Sequence, residues 1–154
     1  MTPVSHIPLA RGMAGPGRDL VSHRPATLER SFSATSLAPR AARQSLEVFA
    51  YTLDAELCDD LRLLVSELVT NAVEHGRPSA SSRVTLRVLV FPATVVAVVE
   101  DDGPGFREPP TVPDEDAIRG RGLHLVPELA VRHGFETSPR TAVWFELERA
   151  ASQG

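Results

Sequence analysis

The segment from Asp54 to Gly76 constrains the fold of this chain more than any other stretch. Its apolar residues recur at helical spacing and form one stripe, which consists of Leu57, Leu61, Leu64, Val65, Leu68 and Ala72. Asp54 is placed to cap this helix, and Gly76 with Pro78 is placed to end it. A long helix with one apolar stripe must pack against another layer, so the rest of the chain has to supply that layer.

Two stretches after this helix predict β-strands, the first by its two-residue period and the second by its valine content. In residues 83–90, Val84, Leu86, Val88 and Val90 alternate with Arg83, Thr85, Arg87 and Leu89, which predicts a strand with one buried face. Residues 94–100 are rich in valine and predict a central strand that pairs antiparallel with the first across the turn at 91–93. The helix therefore has a sheet to cover.

Four further elements follow from weaker patterns. Residues 28–34 predict a short strand, and Ser36 is a candidate cap for a helix that carries Leu46, Phe49, Ala50 and Leu53 on one face. A third helix is predicted to open at Gly120-Arg121-Gly122-Leu123 and to stop at Gly134. Residues 135–137 and 141–148 predict a last hairpin.

The composition bounds the class of protein. A chain of 154 residues with 42% hydrophobic residues is sufficient for one domain with a real core. We expect a tail over 1–30, the domain over 31–149 and a short tail over 150–154. No apolar run predicts a membrane span or a secretory signal, so we expect a cytoplasmic protein without membrane contact. The net charge of −4 gives no reason to expect nucleic-acid binding.

All sixteen basic residues are arginine, and the chain contains no lysine. A P-loop requires a lysine at the nucleotide phosphates, and a Schiff-base enzyme requires an amine. Both classes are therefore excluded, and a nucleotide in this protein must be held by other groups.

Glu67 and Asn71 are the first candidate functional pair. They stand four residues apart, so they project together from the flank of the long helix. An amide oxygen is a ligand suited to Mg²⁺, and a carboxylate one turn away can act as a general base. Taken alone, a Glu/Asn pair on a helix flank is usually part of an ordinary polar surface. His75 at the end of this helix is better read as a cation that meets the helix dipole than as a metal ligand.

Two glycine-rich segments supply further candidates. Asp101 follows the buried strand and can accept a hydrogen bond from an adenine amine, while Gly103 and Gly105 let the chain pass close to a ring. An ordinary strand-to-loop turn is the alternative. Further on, the backbone at Gly120 and Gly122 offers N–H groups to phosphate, with charge added by Arg119 and Arg121. The three segments occur in this order, with a Pro-rich loop between the last two. This arrangement favours a nucleotide site more than any one segment does alone.

These segments resemble known nucleotide-binding boxes. Residues 67–76 are similar to the N box, residues 101–105 to the first glycine box and residues 120–123 to the second glycine box of the ATPase superfamily shared by gyrase, histidine kinases, the ninety-kilodalton heat-shock chaperone and MutL. The resemblance covers about Phe32 to Leu147. The compact size and short lid most resemble the bacterial anti-sigma-factor serine kinases.

The resemblance implies a Bergerat fold, an α/β two-layer sandwich in which about three helices cover one face of a mixed, mostly antiparallel sheet. It implies ATP and Mg²⁺ as ligands, with Asn71 on the metal, Glu67 as the base and Asp101 on adenine. Four glycines and one leucine would shape the nucleotide pocket: Gly103, Gly105, Gly120, Gly122 and Leu123. A lid arginine, Arg119 or Arg121, would approach the γ-phosphate.

Two functions remain open at the level of sequence. The first is a serine/threonine kinase that phosphorylates an anti-anti-sigma partner and also sequesters a sigma factor. The second is a nucleotide-responsive partner-binding module without significant kinase activity. Relatives of this kind are often dimers, so a homodimer is one expected oligomeric state.

Overall fold

The computed structural model describes residues 25–75, 81–102, 123–136 and 140–150. These ranges contain five strands, three α-helices and one 3₁₀ turn. In chain order they are β1 (Ala26–Ser33), α1 (Ala38–Ser45), the 3₁₀ turn (Leu46–Phe49), α2 (Ala55–His75), β2 (Arg83–Val90), β3 (Thr94–Asp101), α3 (Val126–Leu129), β4 (Arg132–Glu136) and β5 (Thr141–Glu148). β1 begins at Ala26, so the sheet includes the last residues of the segment that the sequence assigns to the N-terminal tail.

The strands form one sheet in the order β1-β2-β3-β5-β4. Each of the four neighbouring pairs is antiparallel, so the described part of the sheet contains no parallel pairing. The helices pack on one face of this sheet. The predicted α/β two-layer fold is therefore confirmed.

The core lies between α2 and the inner face of the sheet. α2 contributes the predicted apolar stripe, all of which is buried, and the sheet contributes the alternating residues of β2 together with Val95, Ala97, Val99, Val143, Phe145 and Leu147. Burial of a leucine or valine side chain contributes about 1.5–3 kcal/mol. Burial of the apolar stripe of α2 against the inner face of the sheet therefore contributes most to holding the two layers together, and these are the residues whose periodicity is clearest in the sequence.

The start of α2 follows the sequence prediction. The carboxylate oxygen Oδ1 of Asp54 accepts a hydrogen bond from the backbone N–H of Leu57 at 2.9 Å, as an N-cap does. Cys58 is buried in the first turn, and burial raises the pKa of its thiol. A buried thiol with a raised pKa is poorly reactive, so Cys58 is a packing residue.

The prediction of one continuous first helix is wrong. α1 ends at Ser45, and the tighter 3₁₀ turn that follows keeps Leu46 and Phe49 in the core while Ala50 becomes exposed. Ser36 is not the cap either. Leu37 occupies the cap position and makes no side-chain hydrogen bond, because a leucine side chain has no acceptor. Its backbone N–H donates to the Thr35 hydroxyl at 3.3 Å.

The prediction of a third helix that runs to Gly134 is also wrong. α3 is a single turn, and Gly134 lies within β4 opposite Trp144. A Cβ atom at Gly134 would lie 2.9 Å from Cζ2 of Trp144, so the indole requires a residue without a side chain there. The glycine therefore makes room for the indole ring instead of ending a helix. The predicted hairpin of β4 and β5 is confirmed, although β4 begins three residues earlier than expected.

Arg149 connects the end of β5 to two other parts of the domain by hydrogen bonds. Its guanidinium donates hydrogen bonds to the carbonyl oxygens of Phe91 at 2.7 Å and Thr52 at 3.1 Å. These contacts join the β2–β3 turn and the segment before α2 to the last strand. Among the described residues, no helix is long and apolar enough to cross a membrane.

Candidate functional site

A groove of about 420 Å³ runs along one side of α2. Glu67 and Asn71 lie on its wall, and the residues of α2 beside them are Leu63, Ser66, Thr70, Glu74 and His75. Leu123 and Leu125 form the facing side. The groove therefore combines polar groups from one helix with an apolar wall from the segment that precedes α3.

Asn71 is a polar side chain in a buried position. It is only 5% exposed, although the flank position in the sequence indicates a boundary residue. Its carbonyl oxygen Oδ1 and the carboxylate oxygen Oε2 of Glu67 are both buried, and neither has a hydrogen-bond partner within the described ranges. A buried acceptor without a partner costs about 1–3 kcal/mol. Two such oxygens one helical turn apart, facing a groove, indicate a site for a ligand that both can contact.

The pair fits a hard cation that takes few protein ligands. Mg²⁺ prefers oxygen donors and is bound by one or two protein groups, with water and phosphate in its other positions. Within the described ranges, no group of three or more His, Cys, Asp or Glu side chains is placed to hold a metal. One amide oxygen and one carboxylate oxygen on neighbouring turns are donors of the kind that Mg²⁺ accepts.

The ionisation of Glu67 is shifted in the direction that favours a base. Burial raises the pKa of its carboxyl above the ordinary value of 4.5, and hydrogen bonding from the backbone of Leu125 and His124 offsets part of that rise. A carboxylate with a raised pKa is a stronger proton acceptor at neutral pH. Glu67 is therefore suited to take a proton from a hydroxyl in the groove.

Asp101 lies at the end of β3, where the sequence places it, and is only 9% exposed. In the sheet register it stands opposite Thr141, the first residue of β5, which is 3% exposed. These two are adjacent buried polar residues at one end of the central strands. Thr141 is absent from the sequence-based site, because only the pairing of β3 with β5 brings it beside Asp101.

The second glycine box contributes one described residue to the groove. Leu123 is fully buried and faces Glu67 and Asn71, as its place at the end of that box leads us to expect. Six other candidate residues lie outside the described ranges: Gly103, Gly105, Arg119, Gly120, Arg121 and Gly122. Gly76 and Pro78, the predicted end of α2, lie outside them as well; the helix itself runs to His75.

The groove also includes residues that the sequence does not single out. Leu63, Ser66 and Thr70 lie within one turn of Glu67 on the same side of α2. Arg43 of α1 donates a hydrogen bond to the Ser66 hydroxyl, which ties α1 to the rim. Helical spacing around Glu67 is a signal that would have found Leu63 and Thr70, which are four residues before it and three after it. Ser66 and its contact with α1 have no such signal in the sequence.

Comparison with known proteins agrees with this geometry. Residues 32–147 match the model of the histidine kinase-like ATPase domain. Over 81 residues the chain is 35% identical to the anti-sigma F factor of Clostridium acetobutylicum. This alignment includes 51% of the present chain and 57% of the relative, so the chain spans little more than half the length of that protein.

Proposed function

The chain belongs to the histidine kinase-like ATPase domain family, and on this premise we propose that it is an ATP-binding regulator that transfers the γ-phosphoryl group of Mg·ATP to a serine or threonine of a partner protein. The observation that carries the proposal is that Glu67 and Asn71 line one groove and that one buried oxygen of each, Oε2 of Glu67 and Oδ1 of Asn71, lacks a hydrogen-bond partner within the described ranges.

Asn71 is the residue that would hold Mg²⁺. When bound, the ion would neutralise charge on the phosphates, which is a principal requirement of phosphoryl transfer. The unpartnered Oδ1 supplies a neutral oxygen donor, and its burial keeps water from competing for the same position. Asn71 therefore orients the ion without adding a further negative charge beside Glu67.

Glu67 would accept the proton of the attacking hydroxyl. Its raised pKa supports this role, and a positioned general base typically contributes a factor of about 10²–10⁴ to the rate. Asp101 would receive the exocyclic amine of adenine, with Thr141 beside it as a second polar group. The glycines of both boxes would line the nucleotide, and Arg119 or Arg121 would reach the γ-phosphate.

The partner class rests on similarity. The aligned relative is an anti-sigma F factor, which supports a regulator that binds a sigma factor. The resemblance to anti-sigma-factor kinases adds an anti-anti-sigma protein as the phosphoryl acceptor. Control of transcription initiation in the cytoplasm is the corresponding cellular role.

A second candidate is a nucleotide-responsive binding module without significant catalysis. The observation that favours it is the lid sequence, in which Ile118 stands where the kinase members have an arginine and Arg119 follows one position later, since γ-phosphoryl transfer usually employs a cation at the phosphate. This candidate retains the nucleotide site and differs only in the chemical step.

One experiment separates the two candidates. The protein is incubated with Mg·ATP and a panel of purified anti-anti-sigma proteins from its own genome, and phosphoserine and phosphothreonine are measured. The proposal expects one acceptor to be phosphorylated, and Glu67→Ala to lose at least about a hundredfold in rate while it still binds ATP. ATP binding without phosphorylation of any acceptor supports the second candidate. A Glu67→Ala variant with the wild-type rate contradicts the assignment of the base.

A further inference from the structure

Leu63, Glu67 and Asn71 follow one another along the groove side of α2. Each is four residues from the next, which corresponds to about 6 Å along the helix axis. All three line the groove, so Glu67 lies between Asn71 on one side and Leu63 on the other. Leu63 is 46% exposed, whereas the other leucines of α2 are buried.

The order of these residues along α2 indicates the side from which the phosphoryl acceptor approaches Glu67. In phosphoryl transfer the attacking and leaving oxygens lie on opposite sides of the γ-phosphorus. If the proposed function holds, on which this inference rests, Asn71 marks the nucleotide side, because it is the residue that would hold the metal ion of Mg·ATP. Glu67 marks the position of the attacking hydroxyl. The acceptor must then approach Glu67 from the side where α2 carries Leu63.

The surroundings of Leu63 define the chemistry of that approach. Leu125 is half-buried on the facing side of the groove, so two leucines border the path to Glu67. The Ser66 hydroxyl beside them is engaged within the chain, because it receives a hydrogen bond from Arg43. His124 and Glu128 also lie close enough to act on the charge of Glu67. The two leucines therefore provide the apolar contact on this path, and a side chain that packs between them is expected to be apolar.

We infer that Leu63 is a specificity-determining residue for the phosphoryl acceptor. It packs against an apolar side chain of the acceptor protein next to the serine or threonine hydroxyl, with Leu125 as the opposite wall. The exposed leucine becomes buried only when the acceptor binds. Leu63 takes no part in holding the nucleotide.

The test uses Leu63→Asn, the conservative variant Leu63→Met and the control Val131→Asn. Val131 is 53% exposed and is not a groove residue, so its substitution removes a similar apolar surface elsewhere. The acceptor is the anti-anti-sigma protein that the wild type phosphorylates fastest. Three quantities are measured for each variant: the Kd of the acceptor in the presence of Mg·ADP, the KM for the acceptor, and the Kd of Mg·ATP.

We expect Leu63→Asn to raise both the acceptor Kd and its KM about tenfold, as loss of one apolar contact does. Leu63→Met and Val131→Asn should stay within about twofold of the wild type, and the Kd of Mg·ATP should be unchanged in all three. Equal acceptor affinity in Leu63→Asn and Val131→Asn would overturn the inference and leave the kinase proposal intact. A weaker Mg·ATP affinity in Leu63→Asn would overturn it too, since Leu63 would then belong to the nucleotide wall. Absence of any acceptor for the wild type would defeat the kinase proposal and this inference together.

Discussion

Replacement of Asn71 by leucine should stabilise the ligand-free protein and abolish its response to Mg·ATP. The two side chains have nearly the same shape, but leucine has no acceptor oxygen. Asn71 is 5% exposed and its Oδ1 lacks a partner within the described ranges, which costs about 1–3 kcal/mol. Removal of that cost raises the free energy of unfolding by about 1–3 kcal/mol and Tm by about 4–12 °C.

The assay is thermal unfolding of both proteins with and without nucleotide. At a ligand concentration of a hundred times Kd, Mg·ATP should add about 2.7 kcal/mol to the stability of the wild type and nothing to that of Asn71→Leu. The two effects have opposite signs, so a single variant reports both the cost of the unpartnered oxygen and its use.

Asn71→Asp is the matched control. It retains oxygen ligands but places a second carboxylate one turn from Glu67, so it should be less stable than the wild type without metal and should recover on addition of Mg²⁺. A ligand-free Asn71→Leu protein that unfolds at a lower temperature than the wild type would refute the reasoning. In that case Oδ1 would contribute to the fold and would not be held for a ligand.

Two further predictions concern the pKa of Glu67 and the contacts of Arg149. Burial raises the pKa of Glu67 in the folded protein above its ordinary value of 4.5. Below 4.5 the carboxyl is protonated in both the folded and the unfolded state, so it costs no stability. As pH rises through the raised value, the folded protein must carry a partly desolvated charge and loses stability. Glu67→Gln should therefore raise Tm at about pH 8 and have no such effect at about pH 4; an equal gain at both would contradict the origin of the shift. Arg149→Met should lose about 1–3 kcal/mol in urea unfolding, because two carbonyl oxygens lose their charged donor. Arg40→Met, at an exposed position on α1, should change stability by less than about 0.5 kcal/mol, and equal losses in both variants would show that the Arg149 contacts contribute nothing specific.

The sequence predicts the elements whose pattern is long and regular. α2 has an unbroken apolar stripe with a capping aspartate, β2 has a clear two-residue period and β3 is a continuous apolar run, so local pattern and tertiary burial agree. The prediction of one continuous first helix is wrong from Leu46 onward, where a 3₁₀ turn begins. The spacing of apolar residues does not reveal this change, because residues on one face of a 3₁₀ turn recur at almost the same interval as in an α-helix. The prediction that Gly134 ends a helix is wrong because the glycine makes room for the indole of Trp144 on β5. The pairing of β4 with β5 that brings the two residues together is not visible in the local sequence.

In the candidate site, too, local sequence predicts some features, and only the folded structure shows the others. Spacing alone places Glu67 and Asn71 together, and the structure adds that Asn71 is buried and that Oε2 of Glu67 and Oδ1 of Asn71 lack partners within the described ranges. A flank position on a helical wheel does not reveal this, because burial there depends on what packs beside the helix. Thr141 becomes visible only through the register of β3 and β5. Leu63 stands four residues before Glu67, so helical spacing places it on the same side, and the structure adds that it borders the groove and is exposed.

Titration of the protein with ATP by calorimetry, with and without Mg²⁺, tests most directly whether this groove is a nucleotide site. The same titration is made on Asn71→Ala and Asp101→Ala, which address the metal and adenine ends separately. We predict one saturable, Mg²⁺-dependent binding event in the wild type, weakened at least about tenfold in each variant, as expected when a buried polar partner is lost. No saturable heat in the wild type, or wild-type affinity in both variants, would contradict the account.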